Sequence, residues 1–318
     1  MNLVFFGTAD FGIPILQALL RSPRHRLVAA VTGPDKPRGR GQERQPTPVG
    51  QWLADTGFPR IVKPEDLRDP HLHRQLQAMG ADAYVVVAYR ILPEAIYTIP
   101  RFAFNLHASL LPAYRGAAPI QRAIMAGETE TGVTTFLLRK QVDTGDILLQ
   151  RSLAIDPEEN CGELMARMAT LGATVVLETL DGLERGDLVP QPQDPSKASP
   201  APKITDEDLI LTFAQPSERL INRVRALAPR PGGYTIFRGG AIKVLALRPY
   251  PDASLHSRPG AIVAVDKTLG PVVATADRCV TFDLIQPAGK KPMTGADFAH
   301  GHHPDVGESF TTPLSDPF

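Results

Sequence analysis

Cysteine is scarce: Cys161 and Cys279 are the only two in 318 residues. Two thiols cannot build a disulfide framework, which excludes the small cross-linked secreted domains; such residues suit a reducing compartment, where they pack as small hydrophobes. No apolar run approaches the ~20 residues that a membrane-spanning helix needs. The opening run Asn2 to Phe6 is far shorter than the core of a secretory signal, and no basic segment precedes it. The expectation is a cytoplasmic, soluble protein with no membrane partner. Neither charge is in excess, since 34 basic and 34 acidic residues cancel, so bulk composition does not advertise a nucleic-acid partner. The glycine fingerprint of dinucleotide folds is missing as well: Gly7 and Gly12 follow the first strand without the required spacing, which disfavours a nicotinamide cofactor. No cluster has metal-ligand spacing, and the pair His302-His303 reads as part of a solvated tail. No internal repeat is visible.

What is present is ordinary globular material, 43% apolar and 21% charged, with room for two domains. Continuous apolar runs predict strands at 2–6, 27–32, 82–87, 102–107, 133–138 and 147–153. Helical spacing falls at 11–20, 71–79, 119–125 and, longest, 162–183. Strands alternating with helices predict an α/β fold, an open and mostly parallel Rossmann-like sheet. The stretch 33–48, with four prolines, reads as a polar loop. Residues 186–203 (GDLVPQPQDPSKASPAPK) have the composition of an extended linker. Beyond them come a short helix near 215–227 and five short strands at 234–237, 241–247, 261–265, 271–275 and 279–285, a spacing that suggests a small OB-like β-barrel. From Arg219 to Arg248 seven basic residues (Arg219, Arg223, Arg225, Arg230, Arg238, Lys243, Arg248) meet no acidic one, a hint of an anionic partner. The tail from about Gly301 is expected to be poorly ordered.

The densest chemistry lies in Phe104 to Pro119 (FNLHASLLPAYRGAAP). Residues two apart in a strand share a face, so Asn105 and His107 project together at the carboxyl end of a strand, where open α/β sheets place ligands. A carboxamide beside an imidazole offers a donor for an oxyanion and a group that moves protons near neutral pH. Downstream, Val142-Asp143-Thr144-Gly145-Asp146-Ile147 forms a tight polar turn whose carboxylate could orient the ring and stabilise its charged form. Spacing alone leaves a purely structural role open for all three.

The segment 105–119, with SLLPAYRGAAPI inside it, resembles the hallmark of the folate-dependent formyltransferases, and DTGDI at 143–147 resembles their second signature. FFGTADFG at the start, PDKPRGRG at 34–41, ALAPRPGGY at 226–234 and QPAGKKPMTGADF at 286–298 narrow the likeness to the branch that acts on methionyl-tRNA. The resemblance covers all but the last dozen or so residues. It implies a formyltransferase-fold catalytic domain at 1–185, a linker at 186–205 and an OB-like tRNA-binding domain at 206–318. It also implies transfer of the formyl group of 10-formyltetrahydrofolate, as co-substrate, to the amino group of initiator methionyl-tRNA, without a metal. Residue by residue, it assigns Asn105, His107 and Asp143 to catalysis, with Asp143 holding and charging His107. Tyr89, Ile91, Ser109, Leu110, Leu111, Pro112 and Asp143 become the folate wall, although core packing would equally explain Leu110 and Leu111. Arg38, Arg40, Arg223, Arg230, Lys290 and Lys291 become tRNA contacts. A monomer is expected, since two linked domains can embrace one tRNA.

Two features depart from that pattern. The family usually has Ala-Tyr-Gly, one residue, then Ile-Leu-Pro, whereas this chain reads Ala88-Tyr89-Arg90-Ile91-Leu92-Pro93, a loop one residue shorter with Arg90 in place of a glycine. Either the local backbone path changes or Arg90 turns outward. Residues 201–318 carry 13 basic and 12 acidic residues, less basic than a tRNA-binding domain of this family would suggest. The rival readings are a sister enzyme that formylates a sugar-nucleotide amine or hydrolyses the folate, and a non-catalytic folate- or RNA-binding protein.

Overall fold

Residues Asn2–Gly7 form β1, a strand buried along nearly its whole length, and the rest of the first sheet is laid around it. The computed structural model describes residues 1–38, 42–252 and 257–313. They fall into two compact units: Met1–Pro119 with Glu130–Ala154 and Met165–Ala201, and Ile120–Thr129 with Ile155–Leu164 and Pro202–Phe318.

In the first unit, α1 (Ile13–Arg21) leads to β2 (Arg26–Val31). A hairpin of β3 (Lys36–Arg38) and β4 (Glu43–Gln45) and the helix α2 (Pro48–Asp55) follow. The stretch expected to be a plain loop, 33–48, thus holds two strands and the start of a helix. Thr47 and Pro48 are the reason for the helix: the Thr47 hydroxyl accepts from Gly50 N at 2.9 Å, and proline is preset for the first helical position. Next come β5 (Ile61–Val62), α3 (Pro70–Ala78), β6 (Ala83–Val87), α4 (Glu94–Tyr97) and β7 (Phe102–His107). After the short β8 (Arg115–Gly116) and α5 (Pro119–Ala126), which from Ile120 on belongs to the second unit, the sheet is completed by β9 (Glu130–Leu137) and β10 (Ile147–Ala154).

The strand order is β10-β9-β7-β6-β1-β2-β5, parallel from β7 to β5 and antiparallel at β9 and β10. Its parallel strands are covered on both faces, which is why β1 and β6 read as unbroken apolar runs. Val4, Phe6, Val31, Leu76, Tyr84 and Val86 form one core cluster. The long helix α6 (Cys161–Arg185) packs against β7 where a Cβ on Gly172 would meet Leu106. The chain leaves β1 first toward β2 and β5, then returns to β6 on its other side. That reversal opens a crevice at the carboxyl ends of the strands. The segment after α6 is not a free linker: β11 (Pro200–Ala201) pairs in parallel with β8.

The second unit holds α7 (Asp206–Leu209) and α8 (Ser217–Leu227), then β12 (Gly233–Phe237), β13 (Gly240–Pro249), β14 (Ile262–Asp266), β15 (Gly270–Ala274) and β16 (Cys279–Pro287). The helix α9 (Gly295–His302) and β17 (Phe310–Thr311) end it. The antiparallel order is β14-β15-β16-β13-β12-β17, with β-bulges curling β13 against β16. Backbone bonds from Ile262 N to Glu308 O and from Phe310 N to Gly260 O join the last stretch to β14 and close an OB-like barrel.

The expected disordered tail is therefore wrong for residues 301–313. Phe310, 2% exposed, plugs the barrel among Phe213, Phe237, Phe282 and Phe298, and that burial orders the polar stretch around it. His302 is likewise no solvated tail residue but stacks on Phe298 at 4.2 Å. No described helix is long and apolar enough to cross a membrane.

Candidate active site

The alternation of β7 carries Asn105 and His107 to its carboxyl end on one face. Asn105 is half-buried in the wall of a cleft that also takes in Tyr89, Ile91, Phe136, Val142 and Asp143. The Asn105 carboxamide has no hydrogen-bond partner among the described residues. His107 lies behind this lining, 6% exposed, with its ring edge-on to Phe136. Its Nε2 lies 2.8 Å from the Tyr114 carbonyl oxygen. A carbonyl can only accept, so Nε2 carries a proton. That Nδ1 lies 3.9 Å from Asp143 Oδ2, too far for a hydrogen bond and close enough for charge to matter. Asp143 was expected to hold the ring. Instead Tyr114 holds it, and Asp143 Oδ2 accepts from Gly116 N at 3.0 Å.

Asp143 sits in a turn that needs its glycine: a Cβ on Gly145 would collide with the Leu137 carbonyl. Asp143, Tyr114 and Ala88 all adopt left-handed backbone, with φ of 54°, 59° and 48°. Non-glycine residues in that region cost roughly 1–3 kcal/mol each and persist only where surroundings fix them. All three lie around this one site.

The Arg90 loop resolves in a third way, neither distorted at Arg90 nor turned outward. Its guanidinium bends back into the protein, donating to Pro64 O at 2.7 Å, Glu65 O at 3.0 Å and the Tyr89 hydroxyl at 3.1 Å. The left-handed turn is taken by Ala88 instead, so no glycine is required at position 90. Burial pushes the Tyr89 phenol up, against the opposing pull of Arg90, so Tyr89 stays neutral and presents an apolar face. Ile91, 73% exposed, and Val142, 49% exposed, form apolar lips at the cleft mouth. Exposed aliphatic groups flanking a cleft with a carboxamide unpaired among the described residues suit a ligand with both apolar and polar parts.

Of the other expected folate residues, Ser109, Leu110, Leu111 and Pro112 lie outside that lining. Ser109 is fully buried and donates to Ala113 O at 2.6 Å; Leu111 N donates to Thr134 Oγ1 at 3.1 Å; a Cβ on Gly132 would meet Leu110. They shape the segment between His107 and Tyr114.

Among the expected tRNA residues, Arg230, Lys290 and Lys291 are exposed, and Arg223 is half-buried with a bond to Ile210 O. Arg38 lies in β3, while Arg40 lies outside the described residues. The basic run is less free than its composition suggests. Arg225 donates to Glu159 O and Asp156 O, Arg238 pairs with Glu308, and Arg248 pairs with Asp283. Acidic and carbonyl partners distant in sequence consume those charges.

A formyl transferase domain model matches residues 1–180, and a formyl transferase C-terminal domain model matches 203–303. The chain belongs to the formyl transferase family. Among its relatives in that family, the methionyl-tRNA formyltransferase of Solibacter usitatus (strain Ellin6076) is 43% identical over 303 residues, 95% of this chain and 96% of that one. The methionyl-tRNA formyltransferase of Heliobacterium modesticaldum is 42% identical over 321 residues, 98% of this chain and 99% of that one. Among solved structures, HypX from Aquifex aeolicus in complex with tetrahydrofolic acid has a TM-score of 0.66 at 17% identity, covering 99% of this chain and 51% of that one. An N-formyltransferase from Helicobacter canadensis in complex with folinic acid and dTDP-3-aminofucose has a TM-score of 0.66 at 14% identity, covering 90% and 98%. At such identities these two likenesses speak for the formyl transferase fold alone.

Sequence reading missed several residues that build the site of this family member. Tyr114 acts through its backbone carbonyl, which no side-chain pattern announces. Gln193 and Ser199 come from the proline-rich stretch after α6, where composition suggested only a linker. Their partners, backbone groups and the Arg115 guanidinium, lie far away in sequence, so they leave no periodic signal.

Proposed function

We propose that this chain transfers the formyl group of 10-formyltetrahydrofolate to the free amino group of initiator methionyl-tRNA. The observation that carries the reading is the convergence at one apolar-lipped cleft of a carboxamide unpaired among the described residues, Asn105, and a carboxylate, Asp143, with His107 Nδ1 3.9 Å from that carboxylate. Full-length relatives at 42–43% identity that are named for methionyl-tRNA favour that acceptor over the sugar amines of more distant fold neighbours.

In this mechanism the acceptor amine attacks the formyl carbon, forming the new C–N bond and placing negative charge on the formyl oxygen. Asn105 donates a hydrogen bond to that oxygen, an interaction worth roughly 2.7–4 kcal/mol in comparable sites. His107 takes the amine's proton at Nδ1, directly or through a water, and Asp143 stabilises the resulting imidazolium. The bond from formyl carbon to folate nitrogen then breaks, and the proton passes to that nitrogen. Exclusion of water by the Ile91 and Val142 lips protects the formyl group from hydrolysis.

The division of labour follows the sequence boundaries: catalysis in 1–185, connection through 186–205, and tRNA binding by 206–318. Arg230, Lys290 and Lys291 supply phosphate contacts, with Arg38 and Arg40 reaching the acceptor end. Catalysis by a cytoplasmic monomer completes the reading.

The test is transfer of labelled formyl from 10-formyltetrahydrofolate to charged methionyl-tRNA, with free methionine, uncharged tRNA and a sugar-nucleotide amine as controls. Product on the charged tRNA alone is expected. Product on the sugar nucleotide instead would overturn the acceptor assignment.

A further inference from the structure

We infer that the segment Gln193 to Ala201 is a strap that positions the catalytic residues, with Gln193 and Ser199 as positioning residues. The inference rests on the formyl-transfer reading of the site and adds a role for residues outside its cleft.

Gln193 makes every hydrogen bond that its carboxamide nitrogen can offer. Its Nε2 donates to Asp143 O at 3.0 Å and to Gly145 O at 2.8 Å. Its Oε1 accepts from Arg115 Nε at 3.1 Å and Nη2 at 2.6 Å. One side chain therefore ties both carbonyls of the Asp143 turn to the segment just after Tyr114. Only an amide does this: a carboxylate would face two carbonyls with lone pairs, and an ammonium could not accept from Arg115. Asp143 holds a left-handed backbone with φ of 54° that would relax if released.

Ser199 anchors the other half. Its Oγ accepts from Tyr114 N at 2.9 Å, and its carbonyl accepts from Arg115 N at 2.8 Å. Tyr114 is the residue whose carbonyl fixes His107. Beyond it, β11 continues the pairing, with Ala118 N donating to Ala201 O at 3.2 Å. Gly116, with φ of 131°, permits this approach because a Cβ there would run into the Ala201 carbonyl. Two short chains of bonds thus leave the strap. One runs from Gln193 to Asp143, and the other from Ser199 through Tyr114 to His107. Neither Gln193 nor Ser199 lines the cleft, so their effect passes through the residues they hold.

The experiment measures kcat and both KM values, per folded enzyme, for Gln193→Ala, Gln193→Glu, Ser199→Ala and Ser199→Thr, with melting curves giving the folded fraction. Wild-type enzyme that transfers no formyl group would sink the functional reading and leave the strap out of account. With wild type active, Gln193→Ala and Gln193→Glu should each lose roughly 10- to 100-fold in kcat, the scale of a misplaced catalytic group, with each KM changing less than about twofold. Ser199→Ala should lose comparably, and Ser199→Thr, which keeps the acceptor, should recover most of it. In an Asp143→Asn background the Gln193→Ala change should cost almost nothing more. A wild-type kcat in folded Gln193→Ala would overturn the strap. So would full activity in Gln193→Glu, since only the Arg115 contact would then count, or an unchanged penalty in the Asp143→Asn background.

Discussion

His107 faces Asp143 across 3.9 Å, from Nδ1 to Oδ2, while its Nε2 proton is committed to the Tyr114 carbonyl at 2.8 Å. The ring is thus oriented by one group and its charged form supported by another. Asp143→Asn separates the two roles, because the asparagine oxygen can still accept from Gly116 N while the charge is gone. That variant should fold normally and lose roughly 10²-fold or more in kcat, as should His107→Asn. The double variant should be little worse than His107→Asn alone, since the carboxylate acts on the ring. Additive losses in rapid-quench assays would separate the two residues mechanistically.

Asn105 offers a cleaner test of charge stabilisation. Its carboxamide has no partner among the described residues, so Asn105→Ala should leave the melting temperature unchanged while lowering kcat by roughly 10²–10³. Asn105→Asp should be at least as damaging, because a carboxylate would oppose the developing negative charge. Equal kcat for wild type and Asn105→Ala would remove Asn105 from the mechanism.

These residues were legible in the sequence for different reasons. Buried parallel strands such as β1 and β6 announce themselves as unbroken apolar runs, and Asn105 and His107 follow from strand alternation once β7 is placed. What stayed hidden depends on single side chains meeting backbone groups far away in sequence. Gln193 reaches Asp143 from 50 positions away, inside a stretch whose composition says only that it is extended. Phe310 closes a barrel as one aromatic in a polar tail, too little for any periodicity to show. The basic run misleads for the same reason, since Glu308 and Asp283, which pair with Arg238 and Arg248, lie outside it.

Arg90 replaces a conformational device with a hydrogen-bonded one. Three acceptors on Pro64, Glu65 and Tyr89 hold the loop that presents Ile91 to the cleft. Arg90→Gly restores the residue type expected from the resemblance but leaves the loop one residue short and unanchored. The KM for the formyl donor should rise roughly 3- to 10-fold, matching about 1 kcal/mol of lost anchoring, with kcat nearly unchanged. Arg90→Lys should fall between, since an ammonium cannot spread a planar fork over three acceptors. Donor titration under saturating tRNA measures this. A rise in the tRNA KM instead would mean that the loop serves the acceptor.

In the second unit, Arg122 and Asp208 form a two-pronged pair, with contacts of 2.8 and 2.6 Å and side-chain exposures of 20% and 13%. Burial alone would raise the Asp208 pKa, but the Arg122 guanidinium, together with hydrogen bonds donated by Thr205, outweighs it and holds the carboxyl below the usual range. A depressed carboxylate pKa means that the unfolded chain takes up the proton first as pH falls. The pair's contribution is therefore complete at neutral pH and is lost progressively below about pH 4. Asp208→Asn should cost about 1–3 kcal/mol at pH 7, in line with hydrogen bonds to charged groups. Calorimetry from pH 7 to pH 3 should show the gap between variant and wild type closing as the wild-type carboxylate is protonated. If the gap persisted undiminished at pH 3, the stabilisation would come from packing around Arg122 rather than from charge, and the pH dependence would have to arise from another carboxylate of the unit, such as Asp277, whose pKa is also depressed.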